Sequence, residues 1–199
     1  FLRKEETDEE ELAFLEEVYS YESEDTKNSY TGKFKGKNFI FLQLEGVDSW
    51  LLNEKDTPTL YKMMKNSINF TNHYSFYNGG GSTFNSEFAV NTGFIVPFSY
   101  NKNAYAFSNN NFPYWMANMF KSEGYIVNAF HMNNSEYYSR GINYESWGYD
   151  NYYGLTDMYK YDDNSYQLDR ELILNEEYSN LMFNEETPFV DYIITYSAH

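Results

Sequence analysis

The sequence predicts an α/β fold: a mostly parallel β-sheet flanked by helices. Three observations carry this. Nearly continuous apolar runs stand at residues 38–44, 125–130 and 191–196. Such runs mark strands buried on both faces of a parallel sheet. Segments with helical periodicity lie between them, at residues 57–66, 84–91, 113–123 and 167–178. Strand alternating with helix is the pattern of right-handed crossovers. No period of about 20–50 residues repeats, so a solenoid is excluded.

Each element has a local reason. Residues 1–25 hold 11 acidic and 2 basic side chains. Leu12, Leu15, Val18 and Tyr19 recur there at helical spacing, so the segment reads as an amphipathic helix with an acidic, solvated outer face. Residues 20–36, rich in Ser, Thr, Asn, Gly and Lys, form a linker. This gives two parts: an acidic helix and linker over 1–36, and an α/β domain over 37–199. In the second part, Phe39 to Leu44 is the first strand. Thr57 caps a helix with Pro58 at its first position, and Leu60, Met63 and Met64 line its inner face. Ile68 to Phe70 reads as a short strand. Gly79, Gly80 and Gly81 make a flexible turn before a helix that begins near Phe84. Pro113 to Glu123 is a helix with Trp115, Met116, Met119 and Phe120 inward, stopped by Gly124.

Composition bounds the function. The chain has 199 residues, a formal charge of −16, 21% aromatic residues and no cysteine. A chain this aromatic buries enough surface to offset the entropy of ordering, which excludes disorder as its main state. Excess acid without a basic face excludes nucleic acid as a partner. Without cysteine there is no disulfide framework and no thiolate metal site. No apolar run of about 20 residues spans a bilayer. The chain opens on Phe1 and stops at His199 directly after an apolar run, so a piece of a longer protein is expected, truncated at its C-terminus.

In an open α/β sheet, ligands bind beyond the carboxyl ends of the strands. Glu45 follows the first strand, His131 the second, and His199 stands shortly after the last. A carboxylate and two imidazoles would thus share one sheet edge, although a single histidine is more often structural. Gly79 to Gly81 lets backbone approach a ligand, and Thr83 falls at the following helix N-terminus, where N–H groups favour an anion. A hydroxyl there becomes a nucleophile if a metal lowers its pKa. The same shape also describes a surface loop with Thr83 as an ordinary cap. Arg140 fits phosphate or sulfate, or a surface ion pair. His73 reads as structural, packed near Tyr74 and Phe76. Asp48 and Asp169 are either ligands or, respectively, a helix cap and a helix-surface charge.

Six ordered blocks resemble the lipoteichoic acid synthase family. They are Phe41-Leu42-Gln43-Leu44-Glu45, Thr57-Pro58-Thr59-Leu60, residues 79–88, Gly124-Tyr125 leading to Phe130-His131-Met132-Asn133, Trp147-Gly148-Tyr149-Asp150, and Thr187-Pro188-Phe189 leading to Ser197-Ala198-His199. The family comprises membrane-anchored phosphoglycerol transferases of the sulfatase and alkaline phosphatase superfamily. The resemblance implies Thr83 as nucleophile, Glu45 and Thr83 as ligands of a divalent metal (manganese, with magnesium the alternative), and Arg140, His131, His199 and Tyr138 as substrate-binding residues. It implies attack on phosphatidylglycerol, release of diacylglycerol, and a glycerophosphate carried on Thr83. A glycerophosphate polymer is the implied acceptor. The implied location is the extracellular face of a bacterial membrane, through an anchor outside this chain. Ser82, Tyr138 and Met132 depart from residues common in the family. The family's Asp-His pair, its remaining metal ligands, occurs nowhere in the chain. The chain alone is therefore expected to be inactive and to self-associate through an uncovered sheet edge. Two alternatives are a hydrolase of phosphate or sulfate esters in the same superfamily and a non-catalytic cell-surface binding module.

Overall fold

The computed structural model describes residues 9–20, 26–74, 82–96, 103–110, 112, 114–158 and 168–198. The chain divides into two compact units, Phe1–Gly36 and Lys37–His199. In the first, α1 spans Glu9–Tyr19, with Glu9, Glu10 and Glu11 in its first turn, where the helix dipole favours acid. Leu12, Phe14 and Leu15 are exposed.

The second unit is built on a four-stranded sheet of β1 (Phe39–Gln43), β2 (Ile126–His131), β3 (Asn151–Tyr153) and β4 (Phe189–Ile194). The order is β1-β4-β2-β3 and every pairing is parallel. Chain order and spatial order differ because a parallel pair needs a crossover between its strands. The helices are α2 (Pro58–Lys65), α3 (Ser82–Thr92), α4 (Met116–Ser122), α5 (Arg140–Ser146), α6 (Leu155–Met158), α7 (Glu171–Leu174) and α8 (Glu176–Ser179).

One face of the sheet carries the main core. Val127, Ala129, Val190, Tyr192 and Ile194 pack there with Phe84 and Phe88 of α3 and with Trp115, Tyr144 and Trp147. Trp115 and Trp147 meet edge to face with centroids 4.8 Å apart, and each such side chain stabilises by about 1.5–3 kcal/mol on burial. The other face holds Phe130, Met132, Leu155, Leu172, Tyr178, Met182 and Ile193.

Several elements depart from expectation. β1 is covered on one face only: Phe39 and Phe41 pack inward, while Ile40 and Leu42 are 54% and 47% exposed. β1 is an end strand of this sheet, and among the described residues no helix lies over its second face. Residues 68–70 form no strand; Ile68 and Phe70 are exposed and no strand pairs with them. The helix expected over 167–178 is two short ones, broken where Asn175 turns extended (ψ 118°) and its side chain accepts from the Glu177 N–H at 2.9 Å. Asn, with its short polar side chain, competes with the helix in this way. Met63 and Met119 point outward, and Tyr61 takes the inner place of Met63. The Thr57 hydroxyl donates to the Leu51 carbonyl at 2.6 Å instead of capping α2. The triple glycine lies outside the described residues.

Candidate functional site

The carboxyl ends of β1 and β4 lie side by side, and the chain leaving each is tied to the other. The Thr195 N–H donates to the Gln43 carbonyl at 3.0 Å, and the Glu45 N–H donates to the Thr195 hydroxyl at 2.8 Å. Gly46 turns in the left-handed region (φ +69°), where a Cβ would meet the Ala198 carbonyl at 3.0 Å, so glycine lets the two segments touch. Asp169 holds the second segment. Its carboxylate accepts from the Tyr196 and Ser197 N–H groups at 2.7 and 2.8 Å, and the Ser197 hydroxyl accepts from the Asp169 N–H. It thus clamps this loop and is no bare helix-surface charge. His199 and any contact it makes fall outside the described residues.

α3 brings in the hydroxyl. Phe84, Phe88 and Asn91 bury one face of the helix against the sheet, which fixes its start beside β1. The Gln43 side chain ties the junction, donating to the Thr83 carbonyl at 3.4 Å while accepting from the Tyr192 hydroxyl. The Thr83 hydroxyl then donates to Glu45 Oε1 at 2.6 Å, both side chains being half-buried. These residues lie far apart in sequence, yet the fold makes them neighbours.

One turn further along α3, Glu87 is fully buried. Its carboxylate takes Arg140 Nε at 3.1 Å and Nη2 at 2.7 Å, and the Tyr144 hydroxyl donates to it at 2.9 Å. Burial raises the Glu87 pKa, against the lowering by Arg140 and Tyr144; the Glu45 charge raises it further, which places both carboxylates in one field. Arg140, 1% exposed, resists its own burial because the Glu87 charge and hydrogen bonds, with Tyr152 and Tyr144, raise its pKa. The surface ion pair considered for Arg140 is therefore a buried one. The half-buried Tyr138 ring sits 5.2 Å from the guanidinium carbon. Tyr138 and Ser139 both adopt left-handed backbone (φ 58° and 51°), strain that persists only where the surroundings over-determine it.

His131 ends β2 instead of following it, and is buried. Its Nδ1 lies 3.0 Å from the Ile194 carbonyl; a carbonyl only accepts, so Nδ1 carries the hydrogen. The Tyr196 ring meets it edge on at 5.6 Å. His73 is exposed, as is Tyr74, and Phe76, its other expected neighbour, lies outside the described residues. Asp48 precedes a turn of 3-10 helix and accepts from the Trp50 indole at 3.1 Å.

Glu45 and Thr83 offer two hard oxygens close enough to share a cation, which suits manganese or magnesium. Among the described residues, no three His, Cys, Asp or Glu side chains form a metal-binding group. The pair fits a divalent ion as part of a ligand set. Sequence reasoning missed Glu87. Its signal was a carboxylate on the apolar face of α3, four residues after Thr83 and beside Phe88.

Parallel strands, a carboxylate beyond the carboxyl end of the first and a hydroxyl at a helix start define an α/β domain of one class. Residues 37–199 match the sulfatase family, and the chain belongs to that family. Among particular relatives, it is 28% identical over 182 residues to the lipoteichoic acid synthase of Staphylococcus saprophyticus, covering 85% of this chain and 27% of that protein. It is 28% identical over 137 residues to the lipoteichoic acid synthase-like YvgJ of Bacillus subtilis, covering 64% of this chain and 21% of that one. Its fold is similar to the crystal structure of the lipoteichoic acid synthase LtaP from Listeria monocytogenes, with TM-score 0.69 and 22% identity over 94% of this chain and 47% of that one. It is also similar to an alkaline phosphatase superfamily protein from Vibrio parahaemolyticus, with TM-score 0.63 and 21% identity over 82% of this chain and 41% of that one. The chain thus spans about a fifth to a half of the length of these relatives. No helix among the described residues is long and apolar enough to cross a membrane.

Proposed function

We propose that this domain supplies the nucleophile half of a phosphoglycerol transferase acting on phosphatidylglycerol-type phosphodiesters. The single observation that carries the reading is the 2.6 Å hydrogen bond from Thr83 to Glu45 at the carboxyl end of a parallel sheet. Similarity to lipoteichoic acid synthases supports the substrate class.

Glu45 and Thr83 would hold a divalent cation, manganese or magnesium, which supplies Lewis acidity to the hydroxyl. Thr83 passes its proton along its hydrogen bond to Glu45. Its Oγ forms a bond to phosphorus while the bond from phosphorus to the diacylglycerol oxygen breaks. That oxygen takes a proton from solvent as diacylglycerol leaves. A glycerol hydroxyl of the acceptor then attacks that phosphorus and gives its proton to solvent; the bond from phosphorus to Thr83 Oγ breaks, and Oγ takes back the proton held by Glu45. Arg140 and Tyr138 would bind the phosphate oxygens, where charge stabilisation is needed. His131, held by the Ile194 carbonyl, and His199 would line the glycerol side. Acceptor polymer, extracellular placement and a membrane anchor belong to the same proposal. So do the two-part division at residue 36, inactivity of the chain alone and self-association through an uncovered sheet edge.

The sulfatase family match favours a second reading, in which water replaces glycerol as the acceptor. One experiment separates them. The full-length protein with Mn2+ is incubated with fluorescent phosphatidylglycerol, and diacylglycerol, free glycerophosphate and polymer are measured. Transfer predicts diacylglycerol with glycerophosphate in polymer; hydrolysis predicts free glycerophosphate. Thr83→Ala should lower diacylglycerol release at least about a thousandfold. Unchanged release would sink covalent catalysis at Thr83.

A further inference from the structure

A guanidinium has two edges that grip an oxyanion: the side edge of Nε and one Nη, and the end edge of both Nη atoms. Glu87 occupies the side edge of Arg140 through Nε and Nη2. Arg140 Nη1 is buried and has no hydrogen-bond partner among the described residues. A buried charged donor left unmade is costly, so such a group marks a place for a further acceptor. Glu87 rides on α3 four residues after Thr83, and residues so spaced lie on one helix face about 5–6 Å apart. One rigid helix therefore carries both the hydroxyl and the carboxylate that grips the arginine. The Tyr144 hydroxyl and the Tyr138 ring complete the holder.

Resting on the phosphoglycerol-transfer reading, we propose that Glu87 is a positioning residue: it grips the side edge of Arg140 throughout, keeping Nη1 in register with Thr83 for a non-bridging phosphate oxygen. Without Glu87 the guanidinium is free to turn its side edge to the phosphate, and its distance from Thr83 is no longer set.

The test is made on the wild-type full-length protein with 15N-labelled arginine, adding sn-glycerol 1-phosphate in the presence of Mg2+. The Arg140 Nη1 resonance is expected to shift while Nε, still bound to Glu87, does not. A shift at Nε with release from Glu87 overturns the proposal. No shift at either nitrogen also overturns it, and would mean that the vacancy is satisfied by buried water shared with the Tyr152 hydroxyl, which likewise has no partner among the described residues. A kinetic arm uses Glu87→Asp, which keeps the charge and retracts the grip by one methylene. Displacement of about 1 Å at a positioning group costs up to about a hundredfold, so kcat/KM for diacylglycerol release should fall by tens of times. In the same variant Nη1 should no longer shift with glycerol phosphate. Retained kcat/KM, within about twofold, would sink a positioning role. Because the resonance arm needs no turnover, loss of covalent chemistry at Thr83 and loss of the Glu87 grip are read separately.

Discussion

Two carboxylates near α3 have opposite fates. Glu87 is fully buried and bound by a guanidinium and a phenol. Glu45 is half-buried at a strand end and accepts from a threonine hydroxyl. The first has exchanged water for fixed partners; the second keeps contact with solvent, and its partner is a half-buried hydroxyl. Burial with a cation makes a carboxylate part of the frame. A half-exposed one beside a hydroxyl stays able to take a cation or a proton. Asp191 stands between the two cases. It is buried like Glu87, yet it accepts only from the Phe183 N–H at 2.8 Å, and its Oδ1 has no partner among the described residues. Burial raises its pKa to about 6.

The largest break in this comparison comes from Glu87→Ala. It strands a buried arginine, and removing one member of a buried pair costs about 3–5 kcal/mol; urea unfolding should record that loss. Asp191→Asn should act in the other direction. A folded pKa above the ordinary value means that the fold favours the protonated acid. That contribution is complete below about pH 4 and is lost as pH rises through about 6. The wild type should therefore lose stability between pH 4 and 7. The variant should be more stable by about 1–3 kcal/mol at pH 7 and no more stable at pH 4, measured by denaturation at both values. Tyr149→Phe tests a buried polar pair without charge. It removes the 2.6 Å bond from the Tyr149 hydroxyl to Asn91 on α3 and should cost about 1–2 kcal/mol in the same assay. Glu45→Gln is the mildest for stability, within about 0.5 kcal/mol. Calorimetric titration with Mn2+ should nonetheless show weakened binding, and an unchanged affinity would remove Glu45 from the ligand set.

Thr83 and Glu45 were readable because each sits at a place that local rules mark: one after a strand of apolar residues, one after glycines at a helix start. The left-handed turn at Gly124 (φ +85°) between α4 and β2 was readable for the same reason. The Glu87–Arg140 pair was not. Fifty-three residues separate its members, and nothing local joins a carboxylate inside one helix to an arginine opening another. β3, with three residues, was too short for any periodicity. Asp169 read as a ligand or a helix-surface charge because its role depends on a loop that returns 27 and 28 residues later.

The sequence by itself determined the α/β class, the alternation of strands and helices, and the hydroxyl and carboxylate with chemistry to offer, since periodicity, helix starts and residue type act over a few neighbours. Only the tertiary structure decided the order β1-β4-β2-β3, the open second face of β1, and which acid meets which base. Those depend on crossovers and on burial, where a charge must find its partner across the fold or lose its hydration uncompensated.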